Sequence, residues 1–275
     1  MIPEEVIFPK EVNIKYTSKE FMEHIERFSV PINKVAMWTL GQNSWILKNE
    51  EGTIIAIDPY LTDYCGSKRT GVPTVKSRIL PIFIEPEDLK VDIVLITHSH
   101  PDHADPYTLE RLTIKDSAYF AAPFQAVPIL KKAGIKDVKL VHPLEQWEWK
   151  GIKITGTFAE PTDFTDLNHM GFVLHFACGK KYYNSGDTAK TELLEHVNSF
   201  DIDWMSICIN GGYHNLTHWE AAEITALINP KIAIPAHFDM MPHNIQPPTM
   251  FRKSLSMKAP NVQYYRLEYY EPSLF

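Results

Sequence analysis

The segment Leu95-Ile96-Thr97-His98-Ser99-His100-Pro101-Asp102-His103-Ala104-Asp105 narrows the possible folds of this chain more than any other stretch. The run VDIVLIT (91–97) that leads into it is short, apolar and β-branched, the pattern of a strand buried on both faces. His98 and His100 stand two apart, so in extended chain both imidazoles project from the same side. Pro101 stops the strand, and its fixed φ suits the first turn of the next segment. Asp102 and His103 then sit on that turn and can point at a second position close by. Nitrogen and carboxylate donors without a thiolate, held at the C-terminal end of a rigid strand, suit Zn²⁺, Mn²⁺ or Fe²⁺. Surface histidines near a helix start are the bland alternative, but this spacing of four ligand types is a strong signal.

Two later segments can complete such a site. Asp187 lies in Asn184-Ser185-Gly186-Asp187-Thr188, directly after the strand-like KKYY, where a carboxylate on a Gly turn can bridge two cations. Taken alone, the same letters equally describe a helix-start turn capped by Asp187. His237 ends the apolar run KIAIPAH (231–237), where a histidine taken alone is more often a core or loop residue. Both gain weight because they recur at strand ends once the first motif has supplied a site to join.

The pattern around these ends describes the scaffold. VAMWTL, NSWILK and GTIIAIDPY, between Val35 and Tyr60, read as short strands separated by turns, and AYFAAP, EQWEWKG, IKITGTFA, GFVLHFA, KKYYNS and DWMSICIN as further strands. Helices are expected from Ser18 to Phe28, Pro106 to Leu112 and Phe124 to Lys132. Another opens at Thr217-His218-Trp219-Glu220, a Thr-x-x-Glu capping box. An antiparallel start followed by alternating β and α predicts an α/β fold of layered sheets flanked by helices, not a pure doubly wound sheet. With 275 residues and no convincing linker, the chain reads as a lead-in over residues 1–33 with one short helix, then a single domain over 34–275.

Composition closes off other classes. Apolar residues at 44% and charged residues at 22% are those of a globular protein, not a disordered or fibrous one. Lys plus Arg is 27 against 34 for Asp plus Glu, a formal charge of -7, the wrong sign for a protein that tracks nucleic-acid phosphates. Cys65, Cys178 and Cys208 lie far apart, so neither a disulfide framework nor a thiolate zinc cage is expected. No signal-type stretch opens the chain, and no apolar run approaches the roughly 20 residues that span a bilayer. A cytoplasmic protein with no nucleic-acid and no membrane partner is the expectation.

On these residues the chain resembles the metallo-β-lactamase fold superfamily, and within it is most similar to the ascorbate-6-phosphate lactonase branch. The likeness runs from about Lys34 to Phe251. It includes VAMWTLGQNSWILK (35–48), the strand end Ile57-Asp58-Pro59 and LPIFIEPEDLKVDIVLITHSHPDHAD (80–105), then YYNSGDT, DIDWMSICINGGY and IPAHFD. The resemblance implies an αββα sandwich with the site at its upper edge and two divalent metal ions, Zn²⁺ or Mn²⁺ with Fe²⁺ as a further option. It implies that His98 and His100 hold metal 1, that Asp102, His103 and His237 hold metal 2, and that Asp187 bridges them. A third metal-1 ligand is expected from the loop after IKITGTFA, where this chain departs from the superfamily pattern. Glu160 and Asp163 are the nearer candidates there, and His169 is an outside one. The chain also carries His237-Phe238 where some lactonase relatives have two adjacent histidines.

Two cations sharing a water lower its pKa towards roughly 7, so the expected activity is that of a metal-dependent hydrolase attacking with a metal-bound hydroxide. Asp102 is the expected catalytic residue, orienting the nucleophile and carrying its proton. The long connection from Leu61 to Leu89 carries Lys68, Arg69, Lys76 and Arg78, which could grip a sugar phosphate or another anion, ordinary solvated charges being the even alternative. Tyr213 and His214, after a buried strand, are further substrate candidates, and His218 is left open. The expected substrate is a small anionic molecule, a lactone or related ester of a phosphorylated sugar, and the lactonase likeness adds a homo-oligomer. A phosphodiesterase or nuclease on the same fold and a non-catalytic metal-binding protein are the alternatives. A flavodiiron-type redox protein is disfavoured, since such sites place Glu where His100 stands. His24, His142, His175, His196 and His243 receive no role.

Overall fold

In the computed structural model the described residues are 12–275, so the first eleven residues of the expected lead-in lie outside the described residues. Helix α1 (Ser18–Arg27) opens on a complete capping box, with Thr17 accepting from Glu20 N and Glu20 reaching back to Thr17 N. Its apolar face, Phe21, Met22 and Ile25, is buried. The Lys48 ammonium donates to the carbonyls of Ile25, Glu26 and Phe28, which satisfies the end of the helix and ties it to the first sheet.

Strands β1 (Val35–Thr39), β2 (Trp45–Asn49) and β3 (Ile54–Ile57) form an antiparallel meander. The β1–β2 turn requires Gly41, whose φ is +84° and whose added Cβ would lie 2.5 Å from Leu80 Cδ1. The short helix α2 (Ser67–Thr70) follows in the long connection. Strands β4 (Ile93–Leu95), β5 (Tyr119–Ala122) and β6 (Val138–Leu140) then add in parallel beside β3. Helix α3 (Pro106–Arg111) lies between β4 and β5, and α4 (Val127–Lys132) between β5 and β6.

The second sheet repeats this plan. Strands β7 (Gln146–Trp149), β8 (Ile152–Phe158), β9 (Met170–His175) and β10 (Lys181–Asn184) are antiparallel neighbours. A 3-10 stretch, Glu192–Phe200, leads to β11 (Trp204–Cys208), which pairs in parallel with β10. Helix α5 (His218–Ile228), again opened by a complete capping box at Thr217, leads to β12 (Ile232–Ala236). Helix α6 (Pro248–Lys258) leads to β13 (Gln263–Tyr264) at the sheet edge, and β14 (Ser273–Leu274) returns to pair with β1. Among the described residues each sheet has seven strands.

Alternation along the strands builds the layers. Val35, Met37, Ile55, Ile57, Ile93 and Leu95 face the second sheet and pack with Ile154, Phe172, Leu174 and Trp204. Ala36, Trp38, Ala56 and Val94 face the opposite way and pack with Phe21 of α1, Leu109 of α3 and Leu130 of α4. On the far side, Met205 and Ile207 of β11 pack with Ala222 and Ile228 of α5 and Phe251 of α6. The result is helices, sheet, sheet, helices: the layered α/β architecture expected from the pattern. Among the described residues no helix is long and apolar enough to cross a membrane. The sequence reading lacked α6, the 3-10 stretch and β6, β13 and β14. The two edge strands at the chain's end have two residues each, too few for alternation to register.

Candidate metal centre

Both sheets change from antiparallel to parallel pairing partway across, at β3 and at β10, and the chemistry-bearing residues cluster at the strand ends around that change. Asp58 follows β3, His98 to His103 follow β4, Asp187 follows β10, His237 follows β12, and His169 immediately precedes β9. Three overlapping donor sets meet there, each with its ligand atoms within 4.8 Å of one another: His98, His100 and His169; His98, His103 and Asp187; Asp102, His103 and His237. All six residues expected to bind metal are therefore brought together. The seventh donor is His169. Asp163 stands beyond His100, 3.4 Å from its outer Nε2, and Glu160 belongs to none of the three sets; its backbone N–H donates to Thr188 Oγ1.

The imidazoles are oriented from behind. Asp58, fully buried with φ +42°, accepts from His103 Nδ1 (2.7 Å), Thr97 N (2.7 Å), Thr97 Oγ1 (2.5 Å) and Asn43 Nδ2 (2.7 Å). Because the Thr97 hydroxyl spends its hydrogen on Asp58, it can only accept from His98 Nδ1 at 3.0 Å. His169 Nδ1 donates to the Asp187 carbonyl at 3.0 Å. The protons of His98 and His169 are thus on their outer nitrogens, and the inner Nε2 atoms present lone pairs. His98 Nε2 lies 3.0 Å from His100 Nδ1.

Around the carboxylates, Gln42 Nε2 donates to Asp102 Oδ2 at 2.7 Å and stands 2.9 Å from His237 Nε2. Asn215 Nδ2 donates to Asp187 Oδ2 at 2.6 Å. Three buried atoms, His103 Nε2, His169 Nε2 and Asp187 Oδ1, have no hydrogen-bond partner. Buried polar atoms are nearly always paired, so orphans converging on one spot are consistent with a cation-binding cluster. The donor set is one that divalent cations accept. The residues fit the metal.

Electrostatics divides the centre in two. Burial, reinforced by the imidazoles of His103 and His169, holds His98 well below the ordinary histidine range, and burial lowers His169 as well. Burial acts the same way on His103 and His237, but there it is outweighed by Asp187 and Asp102, with Asp58 adding to the effect at His103, and both are raised. Burial opposes ionisation of Asp102 and Asp187, yet His103 and His237 overcome it and hold both carboxyls below their usual range. Charge is disfavoured on His98 and His169, whereas Asp102 and Asp187 and the imidazoles of His103 and His237 favour one another's charged forms.

The donors open into a cavity of about 370 Å³, whose lining includes His100, Asp102, Asp187 and His237. Arg69, Lys76 and Tyr213 line it too, in line with the sequence reading, and the Lys76 ammonium sits 5.3 Å from the Tyr213 ring. Lys68 and His214, also selected from sequence, are exposed and absent from the lining. Successive residues of a helix point about 100° apart, so the turn of α2 that turns Arg69 to the cavity turns Lys68 away. Tyr213 and His214 occupy consecutive left-handed positions, φ +53° and +64°, which likewise separates their directions. Arg78 is committed to the carbonyls of Tyr60, Thr62, Leu80 and Pro81 and holds the loop together. His243, given no role from sequence, lines the cavity against Tyr213, while His218 bonds Ser254 on the helical layer. Gln42, Asn215 and Asp58 carry no ligand spacing, and only the Ile57-Asp58-Pro59 strand end gave a hint in sequence.

Comparison with known proteins agrees with this geometry. Residues 37–237 match the family model described as beta-lactamase superfamily domain. A UPF0173 metal-dependent hydrolase of Thermoplasma volcanium is 30% identical over 67% of this chain and 76% of its own length. Another, from Methanobrevibacter smithii, is 26% identical over 84% of this chain and 95% of its own. A metallo hydrolase from Ignicoccus hospitalis superposes with a TM-score of 0.70 at 20% identity, covering 88% of this chain and 98% of that one.

Proposed function

This chain belongs to the beta-lactamase superfamily and is a metal-dependent hydrolase, and on that premise we propose that it opens a lactone, or cleaves a related ester, of a phosphorylated sugar. The observation that carries the proposal is a single cavity lined both by the donor cluster and by Arg69 and Lys76. In this reading His98, His100 and His169 would hold one divalent cation and Asp102, His103 and His237 a second, with Asp187 as a further donor. Zn²⁺ and Mn²⁺ suit the donors, and Fe²⁺ is compatible with them. Bound there, such cations supply Lewis acidity and bring the pKa of water towards about 7.

The side chains do the rest. Arg69 and Lys76 bind the phosphate and set the ester against the donor cluster. Gln42 keeps the Asp102 carboxylate aimed, and Asp102 takes the proton of the attacking water and returns it to the leaving oxygen. No serine or cysteine nucleophile is needed. The Cys65 thiol, although it lines the cavity, is pushed far up by burial and then by the Asp102 charge, so it stays protonated.

The test is metal analysis of the purified protein alongside a panel of sugar-phosphate lactones and phosphodiesters. Lactone opening is expected, and Asp102→Asn should reduce it by about 10²–10⁴-fold while the fold survives by circular dichroism. Turnover of phosphodiesters without lactones would replace the reading with a phosphodiesterase. Equal activity in Asp102→Asn would remove Asp102 from the chemistry.

A further inference from the structure

His100 differs from the other histidines in what stands behind it. The outer nitrogens of His98, His103 and His169 rest on buried acceptors, whereas His100 Nε2 faces the loop between β8 and β9. There it lies 2.9 Å from Thr165 Oγ1 and 3.4 Å from Asp163 Oδ1. The Thr165 hydroxyl donates to Asp163 Oδ1 at 2.6 Å, and the same carboxylate oxygen accepts from Thr165 N at 2.7 Å. A hydroxyl has one hydrogen, so Thr165 Oγ1 can offer His100 only a lone pair. Both groups behind Nε2 are therefore acceptors, and the proton of neutral His100 belongs on Nε2.

We infer that Asp163 and Thr165 form a positioning relay that sets the tautomer of His100, leaving Nδ1 as the atom that faces His98 Nε2 and binds metal. The consequence is electrostatic. With both tautomers fixed, two lone pairs face each other 3.0 Å apart, an arrangement that a cation between them relieves. The loop residues thus make the His98 and His100 pair a poor hydrogen-bonding pair and a good metal-binding one. Asp163 contributes without being a ligand. Orienting partners of this kind typically change metal affinity by about 10–100-fold.

The inference rests on the metal-centre reading, and the experiment separates the two. Nitrogen-15 NMR of the metal-free protein, with the His100 imidazole neutral, reads the tautomer directly. Wild type should show His100 protonated on Nε2, and the double variant Asp163→Ala/Thr165→Val should show a mixture or the Nδ1 form. Thr165→Ser, which keeps the hydroxyl, should restore the wild-type pattern. Co²⁺ titration followed by visible spectroscopy should show about tenfold or greater weakening in the double variant and recovery in Thr165→Ser. Melting temperature controls for folding, since Thr165 is exposed. An Nδ1-protonated His100 in wild type, or an unchanged tautomer and Co²⁺ affinity in the double variant, would overturn the relay. Absence of Co²⁺ binding by wild type would instead sink the metal centre, with the NMR result still deciding the tautomer.

Discussion

The two sheets follow one plan, and their corresponding strand ends do different things. In each, antiparallel pairing gives way to parallel pairing, at β3 in one and β10 in the other, and an aspartate follows the switch strand. Asp58 is enclosed and committed: His103, both donors of Thr97 and Asn43 all point at it. Asp187 has one oxygen held by Asn215, and its other oxygen, buried, has no hydrogen-bond partner among the described residues and stands 3.4 Å from both His103 Nε2 and His237 Nε2. Topology delivers a carboxylate to the donor cluster from both halves. The partners already in place commit one carboxylate to His103 and leave an oxygen of the other turned toward the donor cluster without a hydrogen bond.

The largest effect should come from removing either aspartate. Asp58→Asn is expected to weaken Zn²⁺ or Mn²⁺ binding by about 10–100-fold through loss of the His103 acceptor, and Asp187→Asn by more, because a donor itself is lost. Calorimetric titration of metal-free protein measures both, and the reverse order would break the distinction drawn between the two halves. A middle-sized effect should come from the polar network between the sheets, where Tyr182 OH, Ser206 Oγ and Asn184 Nδ2 satisfy one another. Tyr182→Phe should cost about 0.5–1.5 kcal/mol of unfolding free energy while metal stoichiometry stays as in wild type. A loss of metal instead would mean that this network belongs to the site.

The smallest effect lies on the outer faces, where the halves are mirror images in charge. Arg111 joins Glu85 and Glu87 beside the first sheet, and Glu223 joins Lys190 and Lys258 beside the second. The hydrogen bonds from Lys190 and Lys258 hold Glu223 at about 2, below its ordinary 4.5. A lowered carboxyl value stabilises the fold at pH above 4.5, and the contribution fades as pH falls through about 2. Glu223→Gln should therefore lower the melting temperature slightly near neutral pH, and the difference from wild type should shrink on acidification. A difference that grows in acid would contradict the sign, and salt should weaken the effect throughout.

Legibility differed between the halves in the same way. His98, His100, Asp102 and His103 lie within one turn and one strand end, so backbone geometry relates them and spacing alone revealed them. The layered α/β architecture was legible too, because the long strands bury alternate residues on two faces and α1, α3 and α5 open on side-chain caps. The segment from Ala159 to His169 was another matter: its sequence offers Glu160 and Asp163 as the nearer donors and His169 only as an outside one. Folding sends His169 inward at the edge of β9 and leaves Asp163 behind His100. Lys68 and Arg69 are likewise adjacent in sequence, and only Arg69 reaches the cavity.

By itself, then, the sequence determined a strand end carrying four donors, a scaffold of two layered sheets, and the strand ends of Asp187 and His237 as its partners. Tertiary structure alone brought His169, and not Glu160 or Asp163, into a donor set with His98 and His100, placed Asp58, Gln42 and Asn215 behind the donors, and separated Arg69 from Lys68. The physical reason is range. Spacing within one element fixes directions through the local backbone, whereas donors on separate loops meet only where the packing of two sheets carries their ends together.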